Sequence, residues 1–248
     1  MQKIKKLYRS NYTGEELIRE MQYRDGEWVK TGEFVHSAVE NKQISGKAVV
    51  LGNGPSRLEH NDDLFTLLKN HKGGVLATGR VQTYGCNAVY RDYEPTFLIA
   101  TGKEISAEIA DSGFCDDHIV YANSEEIVAH PGKFYLIPQD PHFNAGALAA
   151  YIAAFDGHEK IYMVGFDLQA GNHYYNNVYA NTNGYHDANT DWRDDHMVQC
   201  LEAVMQLYPD VEFIRVMPTD TWVCPGVWRR LLNFRQITFD QFHREVDL

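Results

Sequence analysis

The run Ala48-Val49-Val50-Leu51 ends abruptly at Gly52-Asn53-Gly54-Pro55-Ser56. An unbroken series of small and β-branched apolar residues suits a strand covered on both faces, and such strands belong to parallel sheets flanked by helices. Gly52 and Gly54 permit conformations and close approaches that a side chain forbids. Pro55 stiffens the turn, and Ser56 can cap a following segment. A glycine turn at the carboxyl end of a parallel strand is a common seat for a nucleotide phosphate. A plain strand-to-loop turn accounts for the same residues. The pattern is neither a Walker A loop nor a G-x-G-x-x-G fingerprint.

From Lys47 onward the chain alternates. Strands are expected at residues 47–51, 75–78, 96–100, 119–122, 134–137, 160–165 and 211–216. Helices are expected at 62–70, 103–110, from Ser124, at 144–155, 193–207, 227–234 and 239–246, with residues 85–90 in a loop or short helix. The clearest helix opens at Asn144 as N-cap. Phe143 and Leu148 stand where a hydrophobic staple needs them, and Gly157 is at C′. Its alanine-rich body is apolar all round and belongs between layers. The expected fold is α/β: a doubly wound, mostly parallel Rossmann-like sheet with an N-terminal arm and a long lid-like loop. Residues 1–46 form the arm or small subdomain, with a short helix at 15–23 and Tyr8, Tyr12, Trp28 and Phe34 as anchors. Residues 47–248 form the nucleotide-binding domain.

The net charge of −11 over 248 residues argues against a partner such as nucleic acid, whose binders carry a basic face. Four cysteines without a C-x-x-C pair read as reduced thiols in a cytoplasmic protein. The first residues lack an apolar signal core, and no stretch approaches membrane-spanning length.

Four groups follow expected strand ends or open a helix. They are Gly52–Ser56, the pair Cys86-Asn87, the helix start Asn144-Ala145-Gly146, and Gly165-Phe166-Asp167. Asn87 could donate to a phosphate or read a base edge, and the small residues after Asn144 let an anion approach unpaired N–H groups. Asp167 at a strand tip could hold a ribose hydroxyl or a metal. The loop 168–191, with Tyr174, Tyr175, Tyr179 and Tyr185, is long for a compact domain and is expected to be a lid, mobile until ligand binds. The same loop holds His173 and His186, and His196, which opens the next helix beside Asp191, Asp194 and Asp195, could act as a general base. No familiar metal-ligand spacing such as H-E-x-x-H occurs.

In this order, the four groups resemble the bacterial lipooligosaccharide sialyltransferases, which carry a G-N-G-P-S loop, a C-N pair, a small-residue helix start and a G-x-D strand end. The first and last are also similar to the 6-hydroxymethyl-dihydropterin diphosphokinases. The resemblance covers about residues 47–220. It implies that these groups bind a cytidine nucleotide sugar without a required cofactor, with His186 or His196 as base. The serine of the family's helix start is Asn144-Ala145 here. Under the diphosphokinase alternative ATP is the donor and Asp167 holds Mg²⁺. The third alternative is a non-catalytic nucleotide-binding protein. The expected partner is a nucleotide or nucleotide sugar, and a homo-oligomer is possible.

Overall fold

The structure is a computed structural model of the chain, and it describes residues 3–9, 15–37, 46–59, 64–71, 81–167, 177–185 and 194–246. Strands β1 (Lys3–Arg9), β2 (Glu15–Arg24) and β3 (Glu27–Ser37) form an antiparallel meander. The helix expected at 15–23 is therefore a strand. Residues of good helix propensity pair with neighbours on both sides, and pairing outweighs a propensity of a few tenths of a kcal/mol per residue. The missed signal is Asp25-Gly26, whose φ values of 50° and 87° close the β2–β3 hairpin. Tyr12 lies outside the described residues, as do the side chains of Tyr8, Trp28 and Phe34.

The main sheet comprises β4 (Lys47–Leu51), β5 (Gln82–Cys86), β6 (Phe97–Ala100), β7 (Ile119–Ala122), β8 (Tyr135–Leu136), β9 (Lys160–Val164), β10 (Glu212–Met217) and β11 (Phe234–Thr238). Its order is β11-β10-β9-β4-β5-β6-β7-β8, and every adjacent pair is parallel. The apolar run in β4 serves two layers at once. Ala48 and Val50 face one core with α5 (Ala145–Phe155) and α6 (Asp194–Leu207). Val49 and Leu51 face the other with α1 (Leu64–His71) and α7 (Phe239–Val246). A third core gathers α2 (Lys103–Asp111), the short α3 (Phe114–Asp117) and α4 (Ser124–Ala129) against β6 to β8. The apolar helix α5 is buried along almost its whole length, with Asn144 as its N-cap.

Two further elements differ from expectation in the main domain, and the strand expected at 75–78 lies outside the described residues. The strand beside β4 is β5, which the sequence did not announce; the short helix expected within 85–90 is present directly after it, as a 3₁₀ turn over Asn87–Arg91. Gln82 and Thr83 disguise it, being polar yet buried. Their burial is tolerated because the polar groups of this strand find partners. Thr83 N donates to Thr96 Oγ1 at 3.2 Å, and Tyr84 Oη donates to Asp156 Oδ2 at 2.7 Å. The helix expected at 227–234 is a single 3₁₀ turn, Trp228–Arg230, and Phe234 already belongs to β11.

Candidate functional site

Strand β4 lies between β5 and β9, and the strand order reverses between β4 and β9. This is the switch point outside whose carboxyl ends ligands collect in open α/β sheets. Two of the four sequence groups meet here, and they interlock. Gly52 N donates to Val164 O at 2.8 Å, and Gly54 N to Gly165 O at 2.9 Å. A Cβ on Gly52 would sit 2.5 Å from Gly165 O, and one on Gly54 2.6 Å from that same oxygen and against the Asp167 carboxylate. The two glycines are thus required by the approach of one strand-end loop to another.

Asp167 is 2% exposed. Its carboxylate accepts a 2.8 Å bond from Ser56 N and a second bond from Ser56 Oγ. Burial pushes its pKa up, and the Ser56 bonds partly offset this. Behind it, Arg215 is fully buried. Its guanidinium donates to Phe166 O at 2.7 Å, to Asp167 O, to Val223 O at 2.8 Å and to Gln236 Oε1 at 3.0 Å. Burial pulls its pKa down to about 10. The Asp167 carboxylate is therefore turned toward Ser56, and the N–H groups of Gly52, Gly54 and Ser56 are bonded within the fold.

The residue that the turn presents is Asn53. Its Nδ2 donates to Tyr185 Oη at 3.0 Å, while its Oδ1 is buried without a hydrogen-bond partner. Asn87 follows β5 at φ 50°, and its Oδ1 accepts from Thr101 N at 2.8 Å. Asn144 Oδ1 accepts from Ala147 N at 3.1 Å, leaving Nδ2 buried and unpartnered. Asn123, directly after β7, has a buried unpartnered Oδ1. Neutral amides therefore recur along the carboxyl edge. Gly146 lets the start of α5 settle on Phe166, where a Cβ would lie 3.1 Å from the ring. Cys86 Sγ donates to Leu51 O at 3.3 Å, and burial pushes the thiol up to about 12, so it stays protonated.

Residues 177–185 cross this edge as a strap. Val178 N donates to Asn53 O at 2.8 Å. Tyr179 Oη accepts from Arg57 Nη2 at 2.8 Å and donates to Asp92 Oδ2 at 2.6 Å. Arg57 is itself buried and also donates to Gly52 O at 2.9 Å. Arg91 donates to Thr182 Oγ1 at 2.6 Å and Asn183 O at 2.9 Å, and it grips Glu108 through two bonds of 2.7 and 2.6 Å. Arg91 holds the Glu108 carboxyl down at about 2. The centre of the expected lid is thus fastened by bonds within the chain itself. Its flanks, with Tyr174, Tyr175 and His186, lie outside the described residues. His196 stands exposed on the first turn of α6, its Nε2 3.5 Å from Cys200 Sγ.

Arg57, Arg91, Glu108 and Arg215 also build this region and are absent from the residues singled out in the sequence. Arg215 had a signal, a lone cation inside the apolar strand Glu-Phe-Ile-Arg-Val-Met. The other three join elements distant in sequence and left none. Among the described residues no group of three or more His, Cys, Asp or Glu side chains is placed to hold a metal ion, and no helix is long and apolar enough to cross a membrane. The parallel sheet with helices on its faces defines an α/β protein of Rossmann-like fold. Compared with protein families, curated proteins and solved structures, the chain has no match in any of the three.

Proposed function

We propose that the chain is a nucleotide-sugar-dependent glycosyltransferase, sialyltransferase-like in its motifs, whose donor binds across the carboxyl ends of β4 and β9. The supporting observation is a pair of buried amide atoms, Asn53 Oδ1 and Asn144 Nδ2, without hydrogen-bond partners. Each such atom costs about 1–3 kcal/mol, which a ligand's polar groups would relieve. In this reading the N–H groups of Ala145 and Gly146, at the positive end of α5, hold the phosphate. Asn53 and Asn87 hold nucleoside or sugar. His196 or His186 takes the acceptor hydroxyl proton as the acceptor oxygen bonds to the sugar and the nucleotide phosphate leaves. Gly52, Gly54, Pro55, Ser56, Gly165, Phe166 and Asp167 fix the loop that carries Asn53. Four cysteines without disulfides suit a cytoplasmic site of action.

The diphosphokinase alternative assigns Mg²⁺ to Asp167. That carboxylate is 2% exposed and engaged by Ser56, so its geometry does not suit a metal ligand. The test is a thermal-shift screen of CMP, CMP-sialic acid, UDP-sugars, GDP-sugars, ATP and GTP, with and without Mg²⁺. A ligand at one hundred times its Kd adds about 2.7 kcal/mol of stability. Cytidine ligands are expected to stabilise the protein in EDTA, and Asn53→Ala and Asn144→Ala to abolish the shift. ATP binding that requires Mg²⁺ would overturn the proposal in favour of the kinase. Cytidine binding without transfer to any acceptor would leave the non-catalytic reading.

A further inference from the structure

Strand β11 ends the sheet and, among the described residues, pairs only with β10. Phe213 N donates to Asn233 O at 2.8 Å, which fixes the phase of the strand. Residues 233, 235 and 237 turn their backbone groups toward β10, so Phe234 and Gln236 turn theirs toward the open edge. Thr238 N is closed off by Gln241 Oε1 at 2.9 Å. A cleft of about 420 Å³ runs along this edge and is bordered by all five residues of β11. Trp222 and Phe234 give it apolar walls, and Arg229 stands at its side.

The segment between β10 and β11 anchors one aromatic side chain inward and leaves other apolar groups outward. Trp228 is fully buried and donates from Nε1 to Val198 O at 3.0 Å. Around it Val223 is 73% exposed and Leu232 wholly so. Natural sheets protect open edges with charge, bulges or cover, because unpaired backbone groups invite another strand. The charged residue on this strand, Arg235, is already neutralised by Glu212 and Glu245. Arg229 and Arg230 are exposed and form no ion pair among the described residues, although the chain as a whole carries −11.

We infer that β11 is a docking edge for an extended peptide of another protein, one alternating apolar and acidic side chains. Its backbone pairs with Phe234 and Gln236, its apolar residues enter the cleft beside Trp222, and its carboxylates meet Arg229 and Arg230. A second copy of this chain docked edge to edge would instead set these arginines close to their own copies. The surface lies two strands away from β9, where the proposed nucleotide site sits.

The test is panning of a phage-displayed random octapeptide library against the full chain and its Arg229→Glu/Arg230→Glu variant. Enrichment of alternating apolar and acidic sequences on the native chain alone is expected. The best synthetic peptide should protect the Phe234 and Gln236 amides from hydrogen exchange, and methylating alternate peptide nitrogens should weaken it at least tenfold. No enrichment, or enrichment indifferent to the arginines, overturns the proposal. So does concentration-dependent dimerisation that protects the same two amides. Sedimentation with phosphatidylglycerol vesicles that Val223→Asp/Leu232→Asp abolishes, without peptide enrichment, reassigns the surface to a membrane.

Discussion

At Gly54 the fold and the candidate site meet in one backbone atom. The residue looks like a ligand contact in the sequence, yet its missing side chain makes room for Gly165 and Asp167. Gly54→Ala is therefore expected to destabilise the protein by on the order of 3 kcal/mol, because backbone has to move to admit the methyl group. Urea denaturation measures it, and a midpoint unchanged from the native protein would refute the interlock. Ser56→Ala removes a hydroxyl partner from a buried carboxylate while the Ser56 N–H remains. The expected loss is about 1–3 kcal/mol, read in the same titration. Burial has already raised the Asp167 pKa. A raised carboxyl favours the fold at low pH and loses that contribution as pH climbs through the folded value. The Ser56→Ala penalty should accordingly be smaller under acid, where Asp167 is protonated, than at neutral pH.

At the scale of an element, the strap 177–185 is likewise held by a few polar side chains. Its nine residues, with little regular structure, are fastened by Arg91, Glu108, Arg57 and the Asn53 carbonyl. Hydrogen bonding by Arg91 depresses the Glu108 carboxyl from an ordinary 4.5 to about 2. A depressed carboxyl stabilises above the unfolded pKa and loses that contribution as pH falls toward the folded one. The strap should therefore loosen between about pH 4.5 and 2. Hydrogen exchange of the Val178 and Tyr185 amides, corrected for intrinsic rates, would show this as rising opening. Glu108→Gln should open the strap already at about pH 7, and identical exchange in that variant would argue that the tyrosines alone hold it. The helix α5 is the complementary case. Its cap, apolar body and terminal glycine are all local, and its bounds are readable from Asn144 to Phe155.

Across the whole molecule, one side chain joins the site to the edge. Arg215 on β10 holds Phe166 and Asp167 beyond β9, Val223 in the loop after β10, and Gln236 on β11. Arg215→Met would leave these acceptors unpaired in the interior and should cost about 3 kcal/mol or more, measured by chemical denaturation. Arg215→Lys keeps the charge but not the fork of donors and should restore only part of the loss. An Arg215→Met protein as stable as the native one would mean that water satisfies those carbonyls.

The sequence by itself determined the parallel α/β architecture, because a doubly covered strand needs an apolar run such as Ala48–Leu51 and a buried helix needs an apolar body such as that of α5. It also marked Gly52–Ser56 and Gly165–Asp167 as strand ends. Strand β2 escaped it because edge-to-edge pairing overrode helical propensity, and β5 because its polar groups find partners only after folding. Only the tertiary structure decided what the motif residues do. Whether Asn53 Nδ2 finds Tyr185, and whether the Asp167 carboxylate meets Ser56, depends on partners more than a hundred residues away, and those distances exist only in the folded chain.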